Sequence, residues 1–203
     1  MRLLFALLLA GVSVPSLPAF GEAAPTKTFE NPLFRYSVAL PLGCRHEEGP
    51  GTLDAICSPE LDAAKSVEAP AAASLLLEVG VEPVPQDANK APADLAQGYS
   101  QANFTDELPE AVCGEADKAR VHIDNVKQLL DGPRVVYTAT VACPEIKFLG
   151  LGERDGIARF LITPGLRYRL LARAPKEDFD QNRESIDAFF ASFKTLPPET
   201  SRQ

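Results

Sequence analysis

The chain has no tryptophan, one methionine and two histidines, His46 and His122. Two distant imidazoles, with no serine or cysteine in a nucleophile motif, are a poor basis for catalysis. G-x-S-x-G, H-E-x-x-H and a P-loop are all absent, and with them the chemistries they support. The calcium pattern D-x-D-x-D-G is missing too, so Glu47-Glu48, Asp106-Glu107 and Glu177-Asp178 read as solvated loops or helix starts. Basic excess is lacking as well. The formal charge is −8, which argues against a nucleic-acid partner. No apolar run reaches the roughly 20 residues needed to span a bilayer.

The longest run, Leu3 to Val14, follows Arg2 and precedes Pro15, Pro18, Gly21 and Ala23. That is the grammar of a cleaved secretory signal over residues 1–23. No cysteine lies near the expected cut, so no lipid anchor is expected, and the mature protein should be periplasmic or secreted. The remainder suits one domain over 24–196, followed by a disordered polar tail over 197–203.

Cysteine is scarce but even in number: Cys44, Cys57, Cys113 and Cys143. In an exported chain this favours disulfides. Three pairings exist, and the local ones are expected: Cys44 with Cys57, and Cys113 with Cys143. The segment CRHEEGPGTLDAIC has its cysteines symmetric about Pro50-Gly51. A hairpin turning there would set them face to face, within disulfide reach. Its twelve-residue gap and single histidine do not match a zinc site, so no metal or cofactor is expected.

Charge is uneven. Residues 24–117 carry 5 basic and 16 acidic side chains, whereas residues 118–176 carry 11 and 5. The basic stretch can mark a partner surface, or the two parts can face each other within one fold.

Period-two alternation marks strands at Phe34–Leu40, Leu75–Glu82, Ala119–Leu130, Val135–Cys143, Gly156–Ile162 and Tyr168–Ala172, with shorter ones at Ala55–Ser58 and Leu149–Glu153. Leu61–Ser74, Ala-rich and interrupted by Pro70, reads as a loop or a short helical turn. Asp131-Gly132 is a hairpin signal. Helical spacing occurs over Ala93–Phe104, which contains the sequon Asn103-Phe104-Thr105, taken as a chance match. A second helix is expected from Pro175 onward, with Phe179, Ile186, Phe190 and Phe193 on one stripe. The class is α+β: an antiparallel sheet packed by helices, with two disulfides.

Two stretches resemble a known family. GLRYRLLARAPKEDFDQNRESIDAFFASFKTL, with its Ser192-Phe193 close, is similar to the end of PsbP-like domains, and FRYSVALP resembles their first strand. The likeness spans about residues 29–196. It implies an α/β/α sandwich and a role in binding partners rather than catalysis, as in photosystem II extrinsic subunits and DcrB-type envelope proteins. The four cysteines lie outside the family pattern.

One surface stands out. If Thr163-Pro164-Gly165 forms an odd-length loop, Ala158, Phe160 and Ile162 share an apolar face with Tyr168, Leu170 and Ala172. Arg159, Arg167, Arg169 and Arg173 then share the other face, suited to an acidic protein partner in the envelope. On this reading the protein is a non-enzymatic periplasmic adaptor, and charge reversal at Arg167 and Arg169 should weaken partner capture without unfolding. An inhibitor or immunity protein against an envelope enzyme, and an enzyme whose pocket gathers a histidine with carboxylates, stay open.

Overall fold

The structure is a computed structural model describing residues 26–57, 75–114, 116–147 and 150–197. The expected signal peptide, the Leu61–Ser74 segment and residues 198–203 of the expected tail lie outside the described residues. Seven antiparallel strands form the main sheet, in the order β3-β4-β5-β9-β8-β7-β6. These are β3 (Arg45–Gly49), β4 (Thr52–Cys57), β5 (Leu75–Pro83), β6 (His122–Asp131), β7 (Arg134–Cys143), β8 (Arg154–Thr163) and β9 (Leu166–Pro175). A smaller sheet sets β2 (Tyr36–Pro41) between β1 (Thr26–Asn31) and β10 (Lys194–Thr195).

Pro50-Gly51 turns the β3–β4 hairpin as the cysteine symmetry implied. Gly49 faces Thr52 and Arg45 faces Ile56, so Cys44 and Cys57 meet in a disulfide with Cα atoms 4.3 Å apart. Gly51 has φ +79°, a backbone state that glycine enters freely. The β6–β7 hairpin turns at Gly132-Pro133, with Asp131 facing Arg134.

The β8–β9 register differs from expectation. Thr163 faces Leu166, so the loop is the two residues Pro164-Gly165. Phe160 therefore lies opposite Arg169, and Leu161 opposite Tyr168. Sequence alternation cannot fix this register, because both faces of these strands are apolar and covered: Phe160, Leu161, Ile162, Leu170 and Leu171 are all buried. The turn decides instead. The Thr163 hydroxyl donates to the Leu166 carbonyl at 2.7 Å, and the Val84 N–H donates to the Gly165 carbonyl at 2.9 Å.

The first helical stretch is two helices, α1 (Pro92–Gly98) and α2 (Gln101–Cys113). Ser100 restarts the helix through a capping box with Asn103. Phe104, Leu108 and Val112, spaced by four, carry α2 through Pro109 to Cys113 because burying that stripe outweighs the proline's missing N–H. The sequon therefore sits on α2, and its Phe104 is fully buried.

The C-terminal stretch also divides, into α3 (Lys176–Phe179) and α4 (Arg183–Ser192). Between Phe179 and Ile186 every residue is polar, so nothing holds a continuous helix to the core there. Phe193 leaves α4 as its C-cap, and Phe189, absent from the expected stripe, is buried instead.

The two outer layers are laterally offset. α1 and α2 cover β7, β8 and part of β9 through Tyr99, Phe104, Leu108, Val112, Tyr137 and Phe160. On the opposite face, α4 and the small sheet cover β4, β5 and β9 through Tyr36, Val38, Leu40, Leu77, Tyr168 and Phe189. Among the described residues, two diagonal quarters of the main sheet therefore have no layer over them.

Candidate functional site

The observed register disperses the expected arginine face. Arg167, Arg169 and Arg173 are on the same face as Phe160 and Ile162, beside α1 and α2, whereas Arg159 is on the face that carries α4.

Arg167 is committed internally. Its guanidinium lies 4.2 Å from the Tyr99 ring centre, 3.3 Å from Glu82 and 3.6 Å from Glu107. The Tyr99 hydroxyl donates to Glu107 at 2.9 Å. Arg173 pairs with Glu78 at 3.2 Å and donates to the Val112 carbonyl at 3.0 Å. Arg154 donates to the Cys113 carbonyl at 3.3 Å. Two sheet arginines thus meet the carbonyl end of α2, where the helix dipole favours cations. Cys113 is bonded to Cys143 at the same place, with Cα atoms 5.4 Å apart. Arg167 and Arg173 lock the helical layer to the sheet, so they offer little to a partner. Arg169 makes no ion pair with a described residue and lies over Gly80, where a Cβ would come within 3.3 Å of its guanidinium.

Next to this seam, Glu47, Asp54 and Glu78 face one another across β3, β4 and β5. Burial raises the Glu78 carboxyl, against the pull of Arg173. Burial likewise raises Asp54, whose Oδ1 is buried without a hydrogen bond.

The second uncovered quarter, on the α4 face, is a groove of about 330 Å³. Leu129, Val136 and Leu161 form one cross-strand row in its floor, and Lys127, Thr138 and Arg159 form the next. Phe190 and Phe193 make the wall shared with the core. Arg159 is held by donating to the Phe190 carbonyl at 3.0 Å and stacking on the Phe190 ring at 4.9 Å. Burial lowers its pKa, opposed by Asp187. Lys127 and Arg134 add positive charge at the rim, and Arg134 is paired with Asp131. Leu129 is 63% exposed and Leu130, beside it on the other face, 57%. Of the four expected arginines, only Arg159 belongs to this groove. The sequence signal for the rest was Leu129-Leu130 before a turn, two adjacent apolar residues that cannot both point into one core.

The two histidines are far apart, His46 on β3 and His122 on β6, the two edges of the sheet. His46 packs edge-on against Phe29 at 5.0 Å, and burial lowers its pKa. His122 lines a cavity of about 480 Å³ with Arg120, Glu153, Asp155 and Lys176. Glu153 is bound to Lys176 at 2.7 Å, which lowers its pKa, while burial raises Asp155. His122 hydrogen-bonds to neither carboxylate, and the cavity's one sulfur, on Cys143, is in a disulfide. Among the described residues no group of three or more His, Cys, Asp or Glu side chains, Glu47, Asp54 and Glu78 included, is placed to hold a metal ion.

An antiparallel sheet between a helical layer and a layer of helix plus small sheet, with residues 26–41 and 194–195 joined in that small sheet, is the PsbP-like α+β sandwich. No protein-family model and no curated protein matches the chain. Among solved structures it is similar to cyanobacterial PsbP (CyanoP) from Synechocystis sp. PCC 6803, with a TM-score of 0.55 at 15% identity over 89% of this chain and 98% of that one. A protein from Bacteroides thetaiotaomicron VPI-5482 aligns with a TM-score of 0.48 at 10% identity, over 87% of this chain and 50% of that one. The fold expected from the two ends of the domain is present. Both disulfides suit an oxidising, extracytoplasmic compartment. Among the described residues no helix is long and apolar enough to cross a membrane.

Proposed function

We propose that the protein is an exported, non-enzymatic accessory protein of the periplasm that binds a protein partner through the groove between β6 and α4. One observation carries this reading. The apolar row Leu129–Val136–Leu161 continues the core out from under α4 into the open, with positive side chains at its rim. Exposed apolar rows bordered by polar groups are what protein contacts use. The arginine seam is the weaker candidate, since Arg167 and Arg173 already satisfy Glu82, Glu107 and Glu78. The His122 cavity favours an enzyme less, because His122 hydrogen-bonds to neither carboxylate there and Glu153 is already paired with Lys176.

The test is site-specific photocrosslinking in the native envelope. Benzoylphenylalanine replaces Thr138 in the groove or Glu47 in the opposite quarter. The expected result is one protein adduct from position 138, identified by mass spectrometry and lost in Leu129→Asp, with none from position 47. Adducts from 47 alone, or a 138 adduct indifferent to Leu129→Asp, would refute the groove as the contact surface.

A further inference from the structure

We infer that the groove's partner adds a strand to the free edge of β6, and that it is an extended segment pairing acidic with apolar side chains. This rests on the groove being the contact surface and specifies how it is used. β6 closes one side of the main sheet and pairs only with β7, so its outer backbone groups have no strand partner among the described residues. Such an edge is a template for another chain.

Edges are commonly blunted by bulges, prolines or charge. Here the bulge sits between Asp124 and Lys127, where Asn125 takes φ +55°. It spoils only the first half of the strand. From Lys127 to Asp131 the ladder with β7 is regular, leaving a straight edge that presents both exposed leucines.

The register then dictates the partner's sequence. A strand paired with this edge places successive side chains on alternate faces. The residue beside Leu129 reaches over the apolar row of the groove, and its neighbour in sequence lies beside Leu130 on the other face. Two positions from the first, on the groove face, is the residue beside Lys127, which has no ion pair among the described residues. The complementary segment therefore has two adjacent apolar residues, with an acidic residue two positions from the groove-facing one. It can run in either direction. The groove's rim, with Lys127, Arg134 and Arg159, is locally basic, which suits the acidic position of that segment.

The experiment selects linear peptides from a random displayed library against the oxidised, full mature protein. Affinities of the selected peptides are then measured by fluorescence anisotropy. Selected sequences should share the apolar-apolar-x-acidic pattern or its reverse. Leu129→Asp and Lys127→Glu should each weaken them by about tenfold or more, and added salt should weaken them further. Single N-methylation along a selected peptide should abolish binding at every second position and be tolerated between, because only alternate amides face β6.

Binding that depends on Leu129 but tolerates N-methylation throughout overturns strand addition and leaves the groove in place as the contact surface. A library yielding no Leu129-dependent peptide overturns both. Dimers on sedimentation that dissociate in Leu129→Asp make a second copy the occupant and overturn the acidic partner.

Discussion

Gly156 on β8 is the seat of α2, and filling it should lift the helix. A Cβ built there would meet Val112 Cγ1 at 2.6 Å and the Ala172 carbonyl oxygen at 3.1 Å. The first contact is far inside van der Waals distance, and Val112 is fully buried, so neither atom can step aside freely. Overpacking of this kind costs about 1–3 kcal/mol. Replacing glycine also restricts the unfolded chain, which returns about 0.4–1 kcal/mol. Gly156→Ala should therefore lose about 1–2 kcal/mol, a fall in Tm of about 2–8 °C for a domain of this size.

Val112→Ala alone should lose about 2 kcal/mol of buried apolar surface. It also removes the methyl group that the new Cβ would strike. The double variant should consequently be more stable than the sum of the single losses implies, by about 1 kcal/mol, with the Ala172 carbonyl contact keeping the rescue partial. Urea unfolding followed by circular dichroism, with both disulfides oxidised, measures the cycle. Strict additivity of the two losses, or a neutral Gly156→Ala, would refute the close seating of α2 on this glycine.

Three more outcomes follow from the same geometry. Replacing Cys113 and Cys143 by alanine should cost about 4 kcal/mol and replacing Cys44 and Cys57 about 3, from loop separations of 30 and 13 residues, as read from urea midpoints; a larger loss for the shorter loop would contradict loop closure as the main term. Burial raises all four tyrosines, with Tyr36 pushed up to about 12. Their contribution to stability is full below the ordinary phenol pKa of about 10 and is lost as pH rises through the folded values, so tyrosinate absorbance should rise together with loss of near-ultraviolet dichroism rather than ahead of it. Asp54, raised by burial, opposes folding once ionised; Asp54→Asn should raise the urea midpoint at pH 7, and the gain should vanish as pH falls below the ordinary carboxyl range.

How far the sequence foretold this molecule depended on whether a local signal had a rival. Cys44 and Cys57, symmetric about Pro50-Gly51, left one hairpin register, and that register is present. Thr163-Pro164-Gly165 had two, because the strands on either side are apolar on both faces, and a single-residue difference in loop length moved three arginines to the opposite side of the sheet. The end of α2 was hidden by Pro109, a local breaker overruled by the stripe Phe104–Leu108–Val112. The groove was hidden for a different reason. It exists only because the outer layers are offset, a tertiary fact, although Leu129-Leu130 ahead of a turn was its local trace.

The pairing of β2 with β10 bears on how the domain is made. β2 holds Tyr36, Val38 and Leu40 in the core, yet its partner β10 and the serine that accepts from the Ala39 N–H belong to residues 192–195. The Leu196 N–H in turn donates to the Arg35 carbonyl at 2.7 Å. A chain emerging amino end first from a ribosome has no means of completing this layer until residues 192–196 are out. Pairing across such a separation must first meet the loop-closure cost, so this layer shuts only when the last turn of α4 and β10 arrive.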